Sequence, residues 1–432
     1  MLEVVGASLL SFWMNILGQE PAQMKTAQLL AWHEAALFSL VDPDPQGEEN
    51  LEQYLKNLQE KGASSGSQGI WMESGLKLLL DHQGSIPRSA ASLTKIATTL
   101  AALHKWGHEH QFETLIHTTG GIDDGVLQGD LIIEGGGDPF FVWEEAIALG
   151  NKLNKAGIRQ VAGNLVIVGD FYMNYYSNPE TSGESLKIAL DEASWNRDAT
   201  YSYSLMPPGT KRSNLKIAGN IVIKKTLGEV EQNSLANLVV RHQSVSLAQI
   251  LKQMNIYSNN AMAEVLAESA GGATEVAELA ADLADVPQKE IQLINGSGLG
   301  VDNRISPRAA CSMLLAIEEK LEPEPLTIFD IFPVAGRDKV GTMIGRKFPP
   351  GTALKTGTLN QVSALAGIFP TRDHGMVAFA IINNGNLGPI AFRQQQDWFL
   401  QKLAQNWGTA PIPAPSQARE KEFLGDPKRN LN

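Results

Sequence analysis

Three short stretches of this 432-residue chain hold hydroxyl, amide and amine groups at spacings that permit acyl transfer. Ser92-Leu93-Thr94-Lys95 sets a hydroxyl three residues before an amine. On a helix, residues i and i+3 share a face, so the two groups meet. A serine is a weak nucleophile until a base takes its proton, and a desolvated lysine near other cations is neutral enough to act as that base. Ser258-Asn259-Asn260 offers a hydroxyl for proton relay and, from Asn260, an amide to hold a substrate carbonyl. Lys355-Thr356-Gly357-Thr358 reads as part of a strand. There Lys355 and Thr356 can hold a substrate carboxylate, and Gly357 lets a ligand approach the backbone closely. The Thr358 backbone N–H can then share an oxyanion hole with that of Ser92.

Each stretch alone is weakly diagnostic. Ser213-Asn214-Leu215-Lys216 repeats the first pattern and Ser194-Trp195-Asn196 the second. Ser213, however, leads into Ile217, Ile221 and Ile223, which is strand spacing. Lys-Thr-Gly occurs once, and the three stretches follow one another in order, each in suitable local structure. Gly62-Ala63-Ser64-Ser65-Gly66 matches a nucleophile elbow in letters, but the elbow needs a strand before it and a helix after, the reverse of the order here. His104, His108, Glu109 and His110 straddle Gly107, which breaks the helix that would align metal ligands; they read as a solvated helix end. No Gly-Lys-Ser/Thr follows Gly135 to Gly137, so that run reads as a tight turn and not a phosphate loop. Neither a metal nor an organic cofactor is expected. The single cysteine, Cys311, lies among Ala309, Ala310, Met313 and Leu314 and reads as a small buried hydrophobe.

The elements that must position these groups follow from periodicity. Apolar residues at 93, 96, 97, 100 and 103 predict a helix opening near Ser92. Glu52 to Lys61 also reads as helix, and Gly69 to Glu73 and Lys77 to Asp81 as two strands turning at Ser74-Gly75. From Gly120 to about His242 the texture becomes strand-rich, at Gly129 to Glu134, Gly163 to Val168 and Leu215 to Lys224, with one helix over Val142 to Ala156. Helical patterns return at Leu247 to Met254, Ala261 to Ala270, Thr274 to Ala284 and Arg308 to Lys320. Strands at Thr352 to Lys355, Ser363 to Phe369 and Met376 to Asn383 and a helix over Ala391 to Trp407 follow, an antiparallel meander with packed helices.

With 43% hydrophobic and 19% charged residues the chain is globular, long enough for two or three domains. A net charge of −12 gives no electrostatic footprint for nucleic acid. No apolar run reaches 18 residues, so no stable membrane span is expected. Val4 to Leu17 is mostly apolar, but Glu3 precedes it, Asn15 interrupts it and no Lys or Arg comes before it. It fits an apolar helix packed on the domain better than a cleaved leader. Beyond Gly408, Pro411, Pro413 and Pro415 and mixed charges suggest a flexible tail.

The three motifs together are the set of β-lactamases and penicillin-binding proteins. The chain resembles the low-mass class C penicillin-binding proteins, which are D-alanyl-D-alanine carboxypeptidases and endopeptidases. Gly129-Asp130-Leu131 with Gly135-Gly136-Gly137-Asp138-Pro139 carries the likeness further, as do Gly296-Ser297-Gly298-Leu299 with Ser306-Pro307, and Pro333-Val334-Ala335-Gly336 with Gly341-Thr342. The resemblance implies an α+β fold. In it a β-lactamase/transpeptidase-like domain (1–118 and 243–407) is interrupted by a smaller β-rich inserted domain (119–242), and a flexible tail (408–432) follows. It implies Ser92 as nucleophile, Lys95 as base, Ser258, Asn260 and Lys355 as catalytic partners, and Thr356, Gly357 and Thr358 as substrate-binding. It implies peptidoglycan stem peptides as substrates, β-lactam antibiotics as inhibitors and a periplasmic or cell-envelope location. Asn259 departs from the usual Asp of the second motif, and Asn295 from an Asp before Gly-Ser-Gly. A β-lactamase or esterase on the same scaffold, or an inactive wall-binding protein, are the alternatives. No Glu is placed by sequence to activate a deacylating water, and all three motifs keep their chemical groups, which disfavours them.

Overall fold

The computed structural model describes residues 40–41, 44–231, 235–322, 326–411 and 422–432. The apolar segment Val4 to Leu17 lies outside them. One six-stranded sheet is built from β1 (Leu40–Val41), β2 (Gln68–Ser74), β3 (Lys77–His82), and three strands from the far end of the chain. Numbering the strands between them in turn, these are β9 (Ala353–Leu359), β10 (Val362–Thr371) and β11 (Gly375–Asn384). The order is β1-β3-β2-β11-β10-β9, antiparallel except for β1 with β3.

Its central strands are apolar on both faces, as a sheet covered on both sides requires. Ala364, Ala366, Ala378 and Ala380 face one way, and their small size lets helices come close. The helix that lies on them is α9 (Pro307–Leu321), and α2 (Thr94–Trp106), α6 (Leu247–Tyr257), α7 (Asn260–Ser269) and α8 (Ala273–Leu283) complete the same core. Leu365, Phe369, Val377, Phe379 and Ile381 face the other way, against α1 (Pro45–Glu60) and α10 (Pro389–Trp407). Cys311 is buried on α9, its thiol pushed well up by burial and by the Glu73 charge. Among the described residues no helix is long and apolar enough to cross a membrane.

A second six-stranded sheet lies between the first and second motifs. It comprises β4 (Glu113–Thr118), β5 (Leu131–Gly136), β6 (Leu165–Asp170), β7 (Ile221–Lys224) and β8 (Asn237–Gln243), closed by β12 (Asn430–Leu431), in the order β7-β6-β5-β4-β8-β12. The β7-β6-β5 half is parallel, which demands crossover connections, and helices α3 (Trp143–Lys155) and α4 (Pro179–Leu190) supply them. A further helix, α5 (Arg197–Leu205), packs on α3. The unit therefore carries more helix than its strand-like texture indicated. The strand expected over Leu215 to Lys224 is two short strands, Lys216–Ile217 and Ile221–Lys224. Glu113–Thr118, on the near side of the expected boundary at 118, pairs within this second sheet.

The expectation of a flexible tail does not hold for residues 422–432. Arg429 forms a buried ion pair with Glu145 (2.6 Å) and donates to the Gln243 carbonyl (3.0 Å). Asn430 meets buried His242 at 3.0 Å, and Glu422 Oε2 accepts from the Ser246 backbone N–H (3.1 Å) at the start of α6. The segment thus straps the second sheet to a helix of the first unit. Local composition hid it, because its partners lie far away in sequence.

Candidate active site

Ala91–Leu93 forms a 3₁₀ turn that runs into α2. In such a turn the side chains of i and i+3 eclipse, which sets Lys95 over Ser92, Nζ to Oγ 3.2 Å. Of residues 90–103, Ser92 alone is not buried. The preceding Ala91 is held at φ +48, a left-handed conformation that costs a non-glycine residue about 1–3 kcal/mol. Its carbonyl leaves no space for a side chain at position 298, where an added Cβ would come within 1.9 Å of Ala91 O. Gly298, at φ +83, is required on both counts.

Lys95 is fully buried, with Nζ 2.8 Å from Asn260 Oδ1 and 2.6 Å from the Ser297 carbonyl. Burial lowers its pKa to about 7, with the Glu264 carboxylate acting in the opposite direction. A neutral amine has two N–H groups and a lone pair. The two N–H groups satisfy Asn260 and Ser297, and the lone pair is left for the Ser92 hydroxyl.

Asn260 is the first residue of α7, and Ser258 is the left-handed residue (φ +53) between α6 and α7. Asn259 Oδ1 accepts from the Met262 N–H at 3.0 Å, capping α7. Its side chain is therefore a helix cap, consistent with an Asp-to-Asn difference that leaves the site chemistry intact. Asn295 is likewise structural, accepting from the Gly298 N–H (2.8 Å) and donating to the Leu299 carbonyl (2.6 Å).

Lys355 lies on β9 in register with Ala366, fully buried, and donates to Ser258 Oγ (2.8 Å) and the Thr356 carbonyl (2.8 Å). Burial and then the Lys95 charge hold its ammonium well below the usual lysine range. At Gly357 the strand runs against the nucleophile turn, where an added Cβ would lie 2.6 Å from Ala90 O and 3.1 Å from Ser92 N. Thr356 Oγ1 bonds Thr342 Oγ1 at 2.8 Å, and exposed Thr358 accepts from Arg393 Nη2 at 2.7 Å. The residues singled out from sequence thus fall in one place. The decoys do not: Ser213 Oγ is bonded to the Ala189 carbonyl (2.7 Å), and Asn196 caps α5 through the Ala199 N–H (2.8 Å).

Sequence reasoning gave no site role to Glu264, Arg393 or Thr342, although Thr342 lies in a stretch that carries the resemblance. Glu264 accepts from the Gly296 N–H (2.9 Å) and Ser297 N–H (3.2 Å), fixing the loop whose carbonyl holds Lys95. It sits four residues beyond Asn260 on one helix face, the only local signal of its role. Beside Tyr257, which precedes Ser258, opens a cleft of about 660 Å³ lined by Trp143, Glu144, Tyr175, Glu184 and Asp198 of the second unit.

A half-buried serine against a buried lysine of lowered pKa, with a second serine–lysine pair facing it, defines a serine acyl-transfer site. The D-Ala-D-Ala carboxypeptidase 3 (S13) family model matches residues 48–180 and 211–406, and the chain belongs to that family of serine D-alanyl-D-alanine peptidases. It is 24% identical over 408 residues to the D-alanyl-D-alanine carboxypeptidase DacB of Haemophilus influenzae, covering 72% of this chain and 83% of that protein. Bd3459, a predatory peptidoglycan endopeptidase from Bdellovibrio bacteriovorus, shares its fold at TM-score 0.71 and 21% identity, over 83% of this chain and 97% of that one. A penicillin G-acylated form of Bd3459, bound to immunity protein Bd3460, aligns at TM-score 0.67 and 23% identity over 82% and 96% of the two chains.

Proposed function

We propose that Ser92 is the nucleophile of a D-alanyl-D-alanine peptidase that cuts peptidoglycan stem peptides through an acyl-enzyme. The observation that carries this reading is the hydrogen-bonded convergence of Lys95 on Ser92 and Asn260, and of Lys355 on Ser258. Lys95 takes the Ser92 proton as Oγ attacks the carbonyl carbon of the penultimate D-Ala. The backbone N–H groups of Ser92 and Thr358 hold the resulting oxyanion. As the C–N bond breaks, Ser258, assisted by Lys355, passes a proton to the departing amine. Water then attacks the ester and restores Ser92. Asn260 keeps Lys95 aligned and holds the substrate amide, while Thr356, Gly357 and Thr358 form the strand on which the substrate lies.

In this reading the unit built on the first sheet and its helices, which carries all three motifs, is the catalytic domain, and the unit built on the second sheet, which takes in Glu113–Thr118, contributes the aromatic, acidic cleft beside Tyr257. A cleft beyond the catalytic groups suits a polymeric substrate. Acting on peptidoglycan places the protein in the periplasm or cell envelope, and β-lactams are its inhibitors, as penicillin G is seen to acylate Bd3459.

The test is intact mass after brief incubation with benzylpenicillin, followed by peptide mapping. One lasting penicilloyl adduct on Ser92 is expected. Rapid penicillin turnover without an adduct would point to a β-lactamase, and neither adduct nor turnover to an esterase or an inactive scaffold.

A further inference from the structure

Proton transfer from Ser92 creates a charge that the three motifs do not neutralise. The Ser92 O–H bond breaks, an N–H bond forms on Lys95, and an ammonium appears on a fully buried side chain. Its acceptors, Asn260 Oδ1 and the Ser297 carbonyl, are dipoles without net charge. Lys355 is no help, since it is itself held toward the neutral form by burial and by the Lys95 charge. Among the described residues the carboxylate that acts on Lys95 is Glu264.

Glu264 lies four residues after Asn260, so the two share a face of α7. Asn260 reaches Lys95 directly, and Glu264 reaches it through one loop. Its two carboxylate oxygens accept from consecutive backbone N–H groups, of Gly296 (2.9 Å) and Ser297 (3.2 Å). The Ser297 carbonyl in turn accepts from Lys95 Nζ at 2.6 Å. The loop is pinned from α2 as well, where Thr98 Oγ1 donates to the Gly296 carbonyl at 2.7 Å. Loop and helix α7 are in close contact: a Cβ on Gly296 would lie 2.3 Å from the Ala267 Cβ and 2.6 Å from the Ala263 carbonyl oxygen. The carboxylate is thus fixed one loop residue away from the amine. That separation suits a base. A carboxylate in direct contact would hold Lys95 as a permanent ammonium, and none at all would leave the ammonium uncompensated in a low-dielectric interior.

We propose that Glu264 is the positioning residue for Lys95 and the countercharge for its protonated form, stabilising the ammonium that is generated as Ser92 attacks. The proposal rests on the acyl-enzyme reading of Ser92 and adds a third member to the Ser92–Lys95 pair.

The experiment follows the rate of benzylpenicillin labelling by intact mass from about pH 5 to pH 9, on the full chain and on Glu264→Gln and Glu264→Asp. The unsubstituted protein should show an acid limb with its midpoint at about pH 7. Glu264→Gln keeps the size and still accepts from one N–H, but carries no charge. Its midpoint should move to lower pH, because burial then acts on Lys95 unopposed. Its plateau rate should fall roughly 10–100-fold, as the loop carbonyl loses its fixed place. Glu264→Asp keeps the charge and loses reach, so it should return the midpoint toward that of the unsubstituted protein and recover part of the plateau. A merely structural role predicts no shift or the opposite one, since a loosened loop admits water, relieves burial and moves the midpoint up. A lower plateau with an unmoved or raised midpoint in Glu264→Gln therefore overturns the countercharge, and an unchanged profile removes Glu264 from the mechanism. Should Glu264→Gln not fold, as judged by its melting temperature, Glu264→Asp carries the test, and a midpoint above that of the unsubstituted protein overturns the proposal. Each of these results leaves the acyl-enzyme reading standing as long as Ser92 is labelled. Neither labelling nor cleavage of an acyl-D-Ala-D-Ala peptide by the unsubstituted protein would overturn both.

Discussion

Replacing Lys95 by Met isolates the cost of burying the amine. In the folded protein its pKa lies at about 7 against an ordinary value of 10.5. Folding therefore releases a proton. The penalty is absent well above the unfolded pKa, grows as pH falls below it and saturates once pH drops beneath the folded value. At about 1.4 kcal/mol per unit, the penalty is about 4 kcal/mol at pH 7 and about 2 kcal/mol at pH 9. Methionine fills a similar volume without a charge, so Lys95→Met removes this penalty. It also strands Asn260 Oδ1 and the Ser297 carbonyl, which costs about 1–3 kcal/mol each. That second cost does not vary with pH. The two effects nearly cancel at pH 7, and the pH dependence is the diagnostic. Measured by urea unfolding, the stability of Lys95→Met relative to the unsubstituted protein should be about 2 kcal/mol more favourable at pH 7 than at pH 9. Any relief of Lys355 by loss of its cationic neighbour acts in the same direction. Parallel stability curves across this range would refute the buried, depressed lysine, and with it the physical basis for Lys95 as base.

The same pKa sets the acid limb of acylation. Because the neutral amine is the reactive form, penicilloylation of Ser92 should rise about tenfold from pH 6 to pH 8 and then level off, a profile read by stopped-time intact mass. A rate still climbing tenfold per unit at pH 9 would mean an unshifted base. Gly298→Ala, whose Cβ would collide with the Ala91 carbonyl at 1.9 Å, should lower the melting temperature and cut acylation at least tenfold, because the nucleophile turn must move. An active variant of unchanged melting temperature would show that the turn is more yielding than its geometry implies. Arg429→Ala leaves the buried Glu145 carboxylate without its cation and should destabilise the second sheet by about 3–5 kcal/mol. Hydrogen exchange confined to Asn237–Gln243 and its neighbours would register it, and undiminished protection there would rule out a supporting role for the strap.

What was legible in the sequence was local. Ser92 and Lys95 are one helical turn apart, and the short continuous apolar run from Ser363 to Phe369 identifies its own strand, so both could be read without tertiary information. What escaped depends on contacts between distant segments. Glu264 is an ordinary helix glutamate until its carboxylate is seen to hold the backbone of Gly296 and Ser297. Arg393 is one of several polar residues on α10, and its meaning comes from Thr358, 35 residues earlier. Helix α4 was missed because Thr181, Ser182, Gly183 and Ser185 are weak helix formers, although the Asn178 cap and Pro179 at the first turn are start signals. The flexible-tail reading followed the prolines at 411, 413 and 415, while the segment that docks begins only at Glu422.

That strap has a kinetic consequence during synthesis. His242 and Asn430 are 188 residues apart, and the strand containing His242 gains its outer neighbour only when Asn430–Leu431 arrives. Chain emerging in order presents the second sheet with β8 as an open edge, and with Glu145 beside an empty place for Arg429, while the remainder of the protein is still being made. The inserted unit is thus begun early and sealed late. A chain interrupted before residue 422 would keep the whole acyl-transfer constellation yet display an unpaired strand, a feature by which folding helpers and proteases can distinguish unfinished molecules from finished ones.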